Sequence, residues 1–146
     1  PLFKYSWKNV YPSLLEAAQV NDGSPYDGIL MHYSNPVTGG HVMQTMGASM
    51  QLLRAGEHTN SHQHTGSFVY QCAKGKGYSV INGKRYDWKE RDIFCVPSWA
   101  VHEHVNLSET EDACLFSFND LPVIESLGLY QQRAYEENGG FQIVNS

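Results

Sequence analysis

Positive charge is scarce: ten lysines and arginines stand against fifteen acidic residues, for a formal net charge of −5. The basic residues are scattered, so nothing in the chain attracts a phosphate backbone, and nucleic acid is set aside as a partner. Long apolar runs are absent too. No stretch approaches the roughly 18 residues needed to span a bilayer, and no basic segment followed by a hydrophobic one opens the chain, so no membrane association is expected. Cysteine is limited to Cys72, Cys95 and Cys114. An odd, scattered set, each within a strand-like apolar run, fits small buried residues in a reducing compartment rather than a disulfide framework, and the expected location is the cytoplasm. The initiator methionine is missing as well, since the chain opens at Pro1; the expectation is a processed chain or a part of something longer. Repeats and linkers are not found, and 146 residues, 41% of them hydrophobic, suit one domain with its own core.

What is present is a rhythm of short strands. From about Gly28, apolar and aromatic runs alternate with Gly, Pro and Asn at roughly ten-residue intervals, the pattern of an antiparallel sandwich or barrel. Strands are expected over 28–33, 47–54, 67–73, 77–81, 84–89, 92–96, 101–106 and 113–119. Asn82-Gly83 predicts a two-residue hairpin, because its turn needs positive φ at both central positions. Ser13-Leu14-Leu15-Glu16, just after Pro12, has capping-box spacing, and Leu14, Leu15, Ala18 and Val20 are expected to line one face of a short helix. A second short helix is expected over Val123 to Leu129, followed by a polar tail from Tyr130.

Four of the seven histidines occur as two pairs, His62-Gln63-His64 and His102-Glu103-His104. Alternate residues of a strand share a face about 6.6 Å apart, so each pair can turn two imidazoles into one interior. A single such pair is a weak signal. His32, His41 and His58 are assigned to ordinary hydrogen-bonded core or surface positions.

The surroundings of the pairs are more specific. Gly56, His62, His64, Phe68 and Gly75 follow the spacing of the first motif of the cupin superfamily, with Phe68 where a glutamate often stands. Pro97, Trp99, His102 and Asn106 follow the second motif, with Arg91 and Trp99 in place of its usual glycines. The chain therefore resembles a cupin over most of residues 47–119, which implies an all-β, double-stranded β-helix (jelly-roll) barrel. Its core is placed at about 28–119 within one domain over 1–146, with short helices at either end. The resemblance makes His62, His64 and His102 the metal ligands. Neutral imidazoles suit Fe(II), Ni, Cu or Zn, and three from one wall leave other positions open. With Phe68 replacing a carboxylate, the metal keeps more of its charge and should favour an anionic chelating ligand. His104 would close the site as a fourth ligand, so it is assigned to supporting the ligands or moving a proton.

Further stretches narrow the resemblance: Asn35-Pro-Val-Thr-Gly-Gly40, Pro97-Ser-Trp-Ala-Val-His-Glu-His-Val-Asn106, Phe116-Ser-Phe-Asn-Asp120 and Leu127-Gly-Leu-Tyr130. They are similar to the gentisate 1,2-dioxygenase family, in particular to its C-terminal cupin domain. That resemblance implies non-haem Fe(II), O2 and ring cleavage of a hydroxylated aromatic acid such as gentisate, salicylate or 1-hydroxy-2-naphthoate. Arg54 and Gln51 are expected to anchor the substrate carboxylate, with Tyr70, Trp99 and Phe68 walling the ring; the alternative for Arg54 is a solvated surface position, and for the aromatics a place in the core. A non-catalytic cupin that binds a small aromatic acid or stabilises an oligomer is the competing reading, and another metal-dependent reaction on the same barrel is a third. By analogy with other cupins a homo-oligomer is expected.

Overall fold

The computed structural model describes residues 3–145. Among them are a helix α1 (Trp7–Val20), then strands β1 (Ile29–His32), β2 (Gly47–Leu53), β3 (His62–His64), β4 (Phe68–Lys74), β5 (Lys76–Ile81), β6 (Lys84–Lys89), β7 (Ile93–Val96), β8 (His102–Asn106) and β9 (Ala113–Asn119). A short helix α2 (Leu121–Ser126), strand β10 (Gln132–Ala134) and a 3-10 turn (Glu137–Gly140) complete the order. The strands form two antiparallel five-stranded sheets, β1-β2-β9-β4-β7 and β10-β3-β8-β5-β6. This is the all-β jelly-roll expected from the sequence.

Alternation along β2 and β9 explains how both faces of the first sheet are used. Met50, Leu52 and Cys114 turn outward and pack with Val10, Leu14 and Ile29 beneath α1. Leu53, Ala113 and Leu115 turn inward and join Tyr70, Cys72, Ile81, Trp88 and Val96 between the sheets. The inward rows change character along the strands. Leu53 and Ala113 pair at one end, whereas Ser49 pairs with Ser117 and Gly47 with Asn119 at the other. The barrel is therefore apolar at one end and polar at the end where the cavity opens.

The Asn82-Gly83 turn joins β5 to β6 as expected, with φ of 48° and 77°. On β5, Gly77 is required by space: a Cβ there would lie 2.0 Å from the Val105 carbonyl oxygen and 2.6 Å from the Trp88 ring.

The helical expectations need correction. α1 begins at Trp7, with Pro12 inside it; the Ser13 hydroxyl does not cap but bonds back to the Asn9 carbonyl at 2.9 Å. Packing overrides the proline, since Val10 and Leu14 are one turn apart and both buried. Val20, expected on the packed face, is 83% exposed. α2 starts two residues earlier than expected, at Leu121, which puts Pro122 in the first turn, where its missing N–H matters least. Cys95 is exposed while Cys72 and Cys114 are buried, because β7 is an edge strand on which alternate residues face out. β3 and β10 had no place among the expected strands.

Candidate metal centre and its cavity

β3 and β8 are neighbours, and His62 lies directly opposite His102. Cross-strand partners share a face, and so does His64, two residues along β3. The three rings converge, with centroids 4.6 Å (His62–His102), 4.9 Å (His64–His102) and 5.2 Å (His62–His64) apart. One nitrogen from each lies within 4.8 Å of the others, and all three residues are buried.

Backbone carbonyls orient two of the rings. His64 Nδ1 is 3.1 Å from the Thr65 oxygen and His102 Nδ1 is 2.9 Å from the Ala100 oxygen. A carbonyl can only accept, so both Nδ1 atoms carry the proton and both Nε2 lone pairs are free. His62 is held by the Tyr26 ring, stacked at 4.9 Å and 14°. Burial depresses the pKa of His62 to about 3, with repulsion from His64 and His104 adding to it. Burial likewise brings His102 to about 3, and His62 reinforces that shift. His64 is lowered, chiefly by burial. Three neutral imidazoles with free lone pairs are a fitting donor set for a borderline divalent metal.

Strand β3 is tied to the loop before β8: the Trp99 N–H donates to the His64 carbonyl at 2.8 Å, and Gln63 Nε2 donates to the Trp99 carbonyl at 3.2 Å. Trp99 and Arg91, the residues standing where the second motif usually has glycines, take left-handed φ values of 67° and 78°. The backbone shape that favours glycine is retained without glycine, at a strain of about 1 kcal/mol per residue.

The centre opens into a cavity of about 730 Å³. Gln51, Phe68 and Tyr70 line it, with Phe68 against His64 at 4.9 Å and Tyr70 stacked on Phe94 at 5.1 Å. Arg54 and Trp99 are not part of the lining. The Arg54 guanidinium is engaged at the end of α1, donating to the carbonyls of Ala18, Asn21 and Asp22 at 2.8 to 3.1 Å; the helix end attracts the cation. Trp99 is 41% exposed, its side chain at the surface. Neither expected position against the substrate is seen.

His104 shares the inner face but sits behind the three ligand candidates, outside their group. Its Nδ1 meets the Ser79 hydroxyl at 2.7 Å, which also accepts from Trp88 Nε1 at 2.9 Å. Tyr70 packs on it at 5.0 Å. Burial holds its pKa well below the usual value, so it is neutral. Of the other histidines, His41 contacts Glu125 at 3.2 Å and His58 contacts the buried Glu103 at 2.6 Å. His32 lines the cavity.

Sequence reasoning missed Asp27 and Glu125, both in the lining. Asp27 Oδ1 lies 4.0 Å from His62 Nε2, and burial raises the pKa of its carboxyl, with His64 opposing. The replacement of a glutamate by Phe68 implied a metal whose charge is less neutralised; the loop before β1 instead brings the Asp27 carboxylate close to the centre. Its only sequence signal was position in Ser24-Pro-Tyr-Asp-Gly28, a turn-like segment. Arg133 also contributes to the lining, but it pairs with Gln63 rather than with a histidine, which places it on the outer face of β3–β10.

Residues 49–119 match the family described as "Cupin domain". The chain is 42% identical over 145 residues to the 5-aminosalicylate 1,2-dioxygenase of Comamonas sp, covering 99% of this chain and 38% of that protein. It is 32% identical to gentisate 1,2-dioxygenase 1 of Aquipseudomonas alcaligenes, covering 90% of this chain and 37% of that protein. Among solved structures, salicylate 1,2-dioxygenase from Pseudoaminobacter salicylatoxidans, as its adduct with gentisate, superposes with a TM-score of 0.78 at 32% identity. That match covers 88% of this chain and 36% of the other. The chain thus spans under two fifths of the length of these relatives, over their C-terminal cupin region.

Proposed function

Because the chain belongs to the cupin family, as a homologue of gentisate-type ring-cleaving dioxygenases, we propose that its three-histidine centre binds Fe(II) and serves the O2-dependent cleavage of a hydroxylated aromatic carboxylic acid. The observation that carries this reading is the convergence of His62, His64 and His102, buried and within 4.8 Å, at the polar end of the barrel. The proposal covers residues 1–146 as one cupin domain, acting alone or as the catalytic part of a larger enzyme.

Fe(II) held there would supply redox chemistry toward O2 and a positive charge for a chelating acid. The residues provide the rest. The imidazoles are neutral and bring no charge of their own, so the Asp27 carboxylate, 4.0 Å from His62 Nε2, would offset part of that charge, and the Nδ1 bonds to Thr65 and Ala100 fix the direction of two lone pairs. Phe68 gives an aromatic ring a surface to lie against, Tyr70, buried against Phe94 and His104, backs that wall, and Gln51 contributes an amide. His104 is a positioning residue in this reading, bracing His102 from behind. In the overall reaction both atoms of O2 enter the product as the ring C–C bond between the carboxylate- and hydroxyl-bearing carbons breaks, so O2 is the oxidant and no other is needed. The three free cysteines fit a cytoplasmic location, and β7, a sheet edge with Ile93 exposed, fits assembly into a homo-oligomer.

A second reading is favoured by one observation: Arg54 is engaged with α1, so the expected cation is not in the wall. On that reading the domain binds an aromatic acid without turning it over. Oxygen-electrode traces separate the two. Protein loaded anaerobically with Fe(II) is mixed with aerated gentisate, salicylate and 5-aminosalicylate, and consumption of one O2 per acid with a ring-opened product supports the dioxygenase. Binding without uptake supports the second reading.

A further inference from the structure

The cavity wall holds one acceptor that the reading above leaves without work. Asp27 lies in the loop between α1 and β1, and that loop is fixed at several points. Ser24 and Gly28 exchange backbone hydrogen bonds at 2.8 and 2.9 Å, and the Asn60 N–H donates to the Pro25 carbonyl at 2.8 Å. Tyr26 is stacked on His62, and the backbone oxygen of Asp27 accepts from Gln51 Nε2 at 3.4 Å. The carboxylate is thus delivered to the cavity by a rigid support. Its Oδ2 accepts from the Ser24 hydroxyl at 3.4 Å. Its Oδ1 has no hydrogen-bond donor among the described residues; His62 Nε2 lies 4.0 Å away.

An acceptor of this kind in a partly dry wall discriminates between ring substituents. It gains from an N–H or O–H donor, and it repels a nitro group or a carboxylate, whose oxygens can only accept. An aromatic acid therefore has one favourable orientation, with its carboxylate turned from Asp27 and a donor substituent turned toward it. We propose that Asp27 is a specificity-determining residue, accepting a hydrogen bond from a second ring amino or hydroxyl group, beyond the hydroxyl beside the carboxylate, and thereby selecting aromatic acids that bear this further donor. This rests on the reading that the cavity takes an aromatic acid.

The test is anaerobic calorimetric titration of the Zn(II)-loaded protein with salicylate, 5-aminosalicylate, gentisate and 5-nitrosalicylate, after the metal content of each variant has been measured. The wild type is expected to bind 5-aminosalicylate and gentisate about tenfold more tightly than salicylate, and 5-nitrosalicylate more weakly than salicylate. Asp27→Ala should bind all four within about twofold of one another. Asp27→Asn, which keeps the shape and adds a donor, should remove the penalty on the nitro compound. Equal wild-type affinities for the four acids would overturn the proposal while leaving the aromatic-acid reading intact. Loss of Zn(II) from either variant would also overturn it, since Asp27 would then be a metal ligand. Binding of none of the four acids would remove both the proposal and the reading beneath it.

Discussion

Without metal, the protein should lose stability steeply in mild acid, and the histidine centre should be the reason. His62 and His102 titrate near 3 in the folded chain, against about 6.5 when unfolded. The unfolded state therefore binds more protons than the native state throughout the window between those values, and stability rises with pH there. The contribution is complete above pH 6.5 and is lost as the pH falls. At pH 5 each unfolded imidazole gains about 2 kcal/mol from protonation that the native one does not, so the pair accounts for on the order of 4 kcal/mol. That is a large part of a typical domain's total of roughly 5–15 kcal/mol. Urea unfolding of the chelator-treated protein at pH 7.5, 6.5, 5.5 and 5.0 measures the loss. Other groups titrate as well, and Asp27, whose pKa is raised, acts in the opposite direction. The His62→Gln, His102→Gln double variant keeps those groups and removes the pair. The wild type should lose about 4 kcal/mol more than this variant between pH 7.5 and 5.0. Parallel pH profiles for the two proteins would refute the reasoning, because the imidazoles would then titrate alike in both states.

Three other substitutions probe the assignments. Arg54→Ala removes the guanidinium bonds to the end of α1 and should lower stability by about 1–2 kcal/mol in urea unfolding, with aromatic-acid affinity unchanged; a tenfold loss of that affinity would return Arg54 to the cavity. His104→Ala should leave metal stoichiometry at one per chain by elemental analysis, yet reduce stability by about 2–4 kcal/mol, since the buried imidazole and its bond to Ser79 are lost. Gly77→Ala forces a Cβ against the Val105 oxygen and the Trp88 ring and should lower stability by 3 kcal/mol or more, or prevent folding, by circular-dichroism melting.

The strands that carry alternating apolar residues were legible, and so was the Asn82-Gly83 turn, because the period and the turn chemistry act locally. β3 was not, since Ser61-His-Gln-His-Thr65 has no apolar period; it is a strand because β8 and β10 pair with it on either side. β10 escaped notice for the same reason. Pro12 misled the reading of α1, whose extent is set by Val10 and Leu14 packing on the sheet. For the centre, two-residue periodicity gave only two histidine pairs able to share an interior; the choice of His62, His64 and His102 came from the resemblance to the cupin motifs, and their convergence rests on the pairing of β3 with β8. The cavity wall was harder. Gln51, Phe68 and Tyr70 lie on strands whose inward faces follow from alternation, whereas the engagement of Arg54 with α1 and the entry of Asp27 from the loop before β1 are tertiary facts without a local pattern.

The most direct test of the account is an X-ray absorption spectrum of the protein loaded anaerobically with Fe(II). The account predicts three imidazole nitrogens at roughly 2.1 Å, with the remaining positions occupied by oxygen donors that change when an aromatic acid is added, and two nitrogens in His102→Ala. A spectrum of hydrated iron without imidazole ligands, unaltered by the His102→Ala substitution, would contradict it.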